Sequence, residues 1–149
     1  MKRMILVISA LLLGAGVVVA QQDLADQSRA LMKASGRAMG GTLTPMVRGD
    51  KPFDQAAVDA ALADLAKSAA MIGTLYPDSA RNANRTGDYL PSPKIWDSRA
   101  EFDDHVAAFK AAVAGAKDKV KDLDTLKAAL PAIGKACSSC HETFRIKNT

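Results

Sequence analysis

A chain of 149 residues with 48% hydrophobic content holds enough apolar material for one packed core, which excludes disorder as its general state. Aromatics make up only 5%, and no stretch shows the dense Val, Ile and Thr alternation of strands, so composition favours an all-α protein. The formal charge of +4 falls to +2 if Lys2 and Arg3 are removed, and it is mixed along the chain rather than gathered into basic runs, which argues against nucleic acid or an anionic membrane as partner.

Residues 1–20 read as an export signal. Lys2 and Arg3 precede an apolar run from Met4 to Val19, and Val18, Val19 and Ala20 offer small residues for cleavage. The run is short for a spanning helix, and the polar Gln21-Gln22-Asp23 follows at once. The expected organisation is a signal peptide over 1–20, cleaved near Ala20, and a periplasmic domain over 21–149 with no stable membrane association after cleavage.

Within that domain the first helix is expected from Asp23 to Val47, with Leu24, Gln27 or Ser28, Leu31, Met32, Ser35, Met39, Leu43 and Met46 recurring on one face. Gly40, Gly41 and Pro45 weaken its second half, and Gly49-Asp50-Lys51-Pro52 ends it. Asp54 caps a second helix whose stripe is Val58, Leu62, Leu65, Ala69, Ile72 and Tyr76, before Pro77. A polar stretch from Asp78 to Leu90 makes the longest irregular connection.

Ser92-Pro93 opens a third helix that carries Trp96, Arg99, Phe102, Val106, Phe109, Val113 and Val120. A fourth opens at Asp124 and carries Leu126, Leu130, Ile133, Cys137, Cys140 and Phe144, with a kink expected at Pro131. Four stripes of this kind are buried most simply in an antiparallel four-helix bundle.

The chemistry sits in Cys137-Ser138-Ser139-Cys140-His141, the C-x-x-C-H pattern of covalent haem c attachment. Helical spacing puts both thiols within reach of the two haem vinyl groups and points the adjacent imidazole at the iron. A thioredoxin-like redox pair would need a preceding strand, a structural zinc site would need four ligands, and a plain CxxC disulfide leaves the histidine unexplained. No Ser/His/Asp grouping, phosphate loop or carboxylate pair supports catalysis, so no enzymatic activity is expected.

The run from Ile133 to Arg145 resembles the closing helix of the cytochrome c′ family, the class II c-type cytochromes. Leu31-Met32-Lys33 with Gly36, Asp54, and Pro93-Lys94-Ile95-Trp96 resemble the same family, and the likeness spans nearly the whole mature chain. The resemblance implies a four-helix bundle around one covalently bound haem c, thioethers at Cys137 and Cys140, and His141 as proximal iron ligand. It also implies that Met32 is the residue facing the distal side of the iron.

A methionine there matches the low-spin, cytochrome c-556 branch, whose members are one-electron carriers serving transient periplasmic redox proteins. A Met32 that does not bind iron would instead match a five-coordinate protein that binds nitric oxide or carbon monoxide. Met39 and Met46, at heptad steps from Met32, are the alternatives if Met32 is only core. Many family members carry an arginine one turn before the distal residue, where this chain has Ser28 followed by Arg29. The family leaves a homodimer through the first two helices open, and His105, beside Asp103 and Asp104, reads as a surface histidine.

Overall fold

The computed structural model describes residues 21–83 and 85–148, so the expected signal peptide lies outside the described residues. Helix α1 covers residues 21–48, α2 is Gln55–Met71, α4 is Arg99–Lys119 and α5 is Leu123–Phe144. These long helices form the expected antiparallel four-helix bundle, α1 packing on α2 and α5, and α4 on α2 and α5. Among the described residues, no helix is long and apolar enough to cross a membrane.

The core is two clusters stacked along the bundle. One gathers Leu43, Met46, Val58, Leu62, Leu65, Val113, Val120, Leu126 and Ile133, with Met39 and Cys137 packed against it. The other gathers Leu31, Ile72, Tyr76, Ile95, Phe102 and Phe144, with Met32, Trp96 and Cys140 packed against it. Each fully buried aliphatic side chain contributes roughly 1.5–3 kcal/mol by leaving water. Between the clusters Ser35 of α1 donates to Ser68 of α2 at 2.9 Å, so two buried hydroxyls satisfy each other across the interface.

The weak second half of the first helix does not break; it widens. Arg37–Leu43 is π-helical, with α-helix resuming over Thr44–Arg48. Buried positions on α1 step from Ala25 through Ser28, Leu31, Ser35 and Ala38 to Leu43, and the five-residue step from Ala38 to Leu43 is the inserted π turn. Pro45 has no N–H for the carbonyl of Gly41, and the Lys51 ammonium takes that acceptor at 2.9 Å. Gly49, at φ 83°, then supplies the left-handed residue that ends the helix.

The third helix departs from its expected continuity. A short α3, Lys94–Asp97, is separated from α4 by Ser98 at φ −124° and ψ 53°. The break lets neighbouring side chains reach carbonyls of the irregular segment that follows α2. Trp96 Nε1 donates to Pro77 O at 3.0 Å, and Arg99 donates to Tyr76 O and Gly73 O, each at 2.9 Å.

The cap of the fourth helix lies two residues earlier than expected, at Asp122 rather than Asp124. Asp122 accepts from the Thr125 amide at 2.8 Å, while Thr125 Oγ1 accepts from the Asp122 amide at 3.1 Å, a closed capping box. The helix is continuous through Pro131.

The hydrogen bond from the Thr125 amide, aided by its hydroxyl, holds the Asp122 carboxyl below the usual carboxylate range. Stabilisation from this cap is therefore present above the ordinary carboxylate pKa and lost as pH falls through the lowered folded value. Asp122→Ala is expected to lower the melting temperature near neutrality, with the gap from the parent narrowing in acid. Melting curves on both sides of the carboxylate range check this; a gap independent of pH would refute the cap's charge dependence.

Composition gave no sign of strands, yet β1 (Tyr89–Pro91) and β2 (Arg145–Lys147) pair antiparallel, with Tyr89 opposite Lys147 and Pro91 opposite Arg145. The pair joins the end of the long polar connection to the chain immediately after α5.

Candidate functional site

Positions 137, 140 and 141 span one turn of α5, and the helix splits their surroundings. Cys137 packs against the first core cluster and Cys140 against the second, so the two thiols straddle the junction between them. Both are free and half-buried. One turn on from Cys137, His141 shares with it an open groove of about 440 Å³, lined also by Gly134, Ser138, Glu142 and Arg145.

Loss of water keeps all three groups neutral. Burial pushes the Cys140 thiol up to about 11, with Cys137 adding to the effect, and burial raises Cys137 as well. Burial, and secondarily Arg145, lowers the pKa of His141. A neutral imidazole keeps a ring lone pair for a metal, and neutral thiols are spared ionic pairing.

Met32 is half-buried against the same cluster as Cys140 and does not line the groove of Cys137 and His141. Met39 lies beyond the start of the π turn and packs with the other cluster, together with Cys137. The inserted residue thus breaks the heptad relation that made the two methionines look equivalent in the sequence. Met46 is buried in that other cluster.

Three features of the surroundings go beyond the helix stripes. His105, expected at the surface, is half-buried; its ring meets Phe144 edge to face at 5.5 Å, and its Nδ1 lies 3.5 Å from Ser139 Oγ inside the motif. An edge-to-face chain runs from Trp96 through Tyr76 and Phe102 to Phe144, with centroid distances of 5.9, 5.6 and 5.3 Å. Arg85, from the long polar connection, lies over Tyr76 and Trp96, its Cζ 5.4 and 5.9 Å from their ring centroids.

The donor set fits a covalently attached haem. Two unpaired thiols three residues apart match two vinyl groups, and a neutral imidazole beside the second matches an axial nitrogen. Among the described residues, no group of three or more His, Cys, Asp or Glu side chains is placed to hold a metal ion by itself.

The family model described as Cytochrome C' matches residues 23–145. The chain belongs to the cytochrome c′ family. It is 51% identical to cytochrome c-556 of Rhodopseudomonas palustris over 148 residues, 99% of each chain, and 37% identical to cytochrome c′ of the same organism over 137 residues, 92% of this chain and 91% of that one. A solved structure described as an NMR-validated structural model for oxidized R. palustris cytochrome c556 superposes with a TM-score of 0.74 at 49% identity, covering 86% of this chain and 99% of that one. The helical bundle is thus that of the cytochromes c-556 and c′, and the protein is a haem protein of that family.

Proposed function

We propose that this cytochrome c′ family member is a periplasmic one-electron carrier, not an enzyme. It would hold a single haem c through thioethers at Cys137 and Cys140, with His141 and Met32 as axial ligands. Export would be directed by residues 1–20 and followed by cleavage near Ala20. The observation that carries the reading is that Met32 packs on the buried cluster of Cys140, the thiol next to His141, whereas Met39 and Cys137 pack on the other.

Once bound, the haem supplies the Fe(III)/Fe(II) couple, and a Met/His pair biases that couple toward a higher potential. The protein's own contributions are local. His141 is kept neutral by burial, as an axial ligand must be. The Met32 thioether adds no charge, so the clusters on either side of Cys137 and Cys140 need not solvate one. Buried Leu31, Tyr76, Phe102 and Phe144 keep water from the Met32 side, which limits solvent rearrangement when charge changes. Partners would be transient periplasmic redox proteins meeting a small interface.

The visible spectrum of ferrous protein, before and after carbon monoxide, tests this reading. Six-coordinate low-spin bands that do not respond to the gas are expected. A five-coordinate spectrum that shifts on addition would transfer the function to gas binding.

A further inference from the structure

Arg85, on the connection between α2 and β1, is half-buried. Its Nη2 donates to Ala80 O at 3.1 Å and its Nη1 to Ser28 Oγ at 3.4 Å, while Nε is buried with no hydrogen-bond partner among the described residues. A buried donor without a partner is costly, and a guanidinium presents Nε and an adjacent Nη as the edge that grips a carboxylate with two parallel bonds.

The surroundings supply no such carboxylate. Arg29 of α1 is close enough to oppose the charge of Arg85, and its own contact with Asp26 is 3.8 Å long. Arg81 on the same connection is paired with Asp97, and Arg99 of α4 with Asp103. Tyr76 offers a buried phenol beside Ser28 and Arg85, within the influence of Cys140 on α5. Two arginines and two hydroxyls thus converge, and among the described residues no carboxylate pairs with Arg85.

The place of this cluster names its ligand. Ser28 is buried on α1 one turn before Met32, and Tyr76 belongs to the cluster against which both Met32 and Cys140 pack. A haem tethered at Cys140 brings two propionates, the only carboxylates the cofactor adds. We propose that Arg85, steadied by Ser28, Tyr76 and Trp96, pairs with a haem propionate, so that the connection between α2 and β1 contributes a cofactor-binding residue. The proposal rests on the haem reading above.

The test follows midpoint potential against pH for the matured parent, Arg85→Gln, Arg85→Lys and Arg81→Gln. An arginine beside a carboxylate lowers its pKa by about one to three units. Arg85→Gln is therefore expected to move the propionate-linked break in the curve upward by about that much, and to lower the potential at neutral pH. Arg85→Lys keeps a point charge without the fork and moves the break less; Arg81→Gln leaves it in place. If Arg85→Gln folds poorly, the Arg85→Lys displacement alone decides.

A break that stays put in protein whose pigment survives acid-acetone extraction would overturn the pairing and leave Arg85 a packing residue over Tyr76. A parent that emerges without extraction-resistant pigment would bring down the haem reading, and this proposal with it; colour alone separates the two failures.

Discussion

Met32→Ala is expected to yield protein that keeps its covalent pigment but takes up carbon monoxide readily in the ferrous state, with a lower midpoint potential than the parent. Alanine cannot supply a thioether, and removing the side chain leaves a gap against the cluster shared with Cys140 rather than a new ligand. The drop in potential follows from losing a soft axial donor, since axial identity is the lever that spreads haem potentials over roughly 0.8 V. Met39→Ala is the matched control: it packs on the opposite cluster and is expected to change stability without changing the spectrum. Carbon monoxide difference spectra and potentiometry decide the matter, and an unchanged low-spin spectrum in Met32→Ala would reduce Met32 to core filling.

The second large effect is on stability. Phe102 is 2% exposed and stands between Tyr76 and Phe144, meeting both edge to face. Its truncation to alanine is expected to cost about 3–5 kcal/mol through lost burial, lost aromatic contacts and a cavity. That is a large part of the roughly 5–15 kcal/mol by which a domain is stable. Urea unfolding of the matured protein checks it: the midpoint of Phe102→Ala should fall well below the parent, and Phe102→Leu should recover part of the loss. Equal midpoints for all three would show that the chain of rings is not what holds this end of the bundle.

How much of this was legible in the amino-acid order depended on whether a feature was periodic. The four apolar stripes and the Cys137, Cys140 and His141 spacing are local patterns, and they gave the bundle and the candidate attachment site directly. The cap of α5 was one turn of reasoning away: Asp122 with Thr125 is a capping box, and Asp124 drew attention only because it adjoins the stripe. The π turn was signalled by Gly40, Gly41 and Pro45, but those residues announce weakness without saying whether a helix stops or absorbs an extra residue. Ser98 carried no breaker signal, because the break after α3 serves carbonyls of Gly73, Tyr76 and Pro77, in the segment that follows α2. Arg85 and His105 were opaque for the same reason: each owes its role to partners distant in the chain, and neither lies on an apolar stripe. The β1–β2 pair joins residues almost sixty positions apart in a polar segment, where no alternation marks it.

That pair also ties distant parts of the molecule together mechanically. Ser92 N donates to Phe144 O at 2.9 Å, and Asn148 reaches back to Asp88 O at 2.8 Å and Gly87 O at 2.9 Å. The segment bearing Arg85 is thereby buckled to the stretch just beyond His141. Loosening Arg145–Lys147 would slacken the hold of Arg85 without touching it, so the residues just beyond α5 help to set how firmly that connection is anchored.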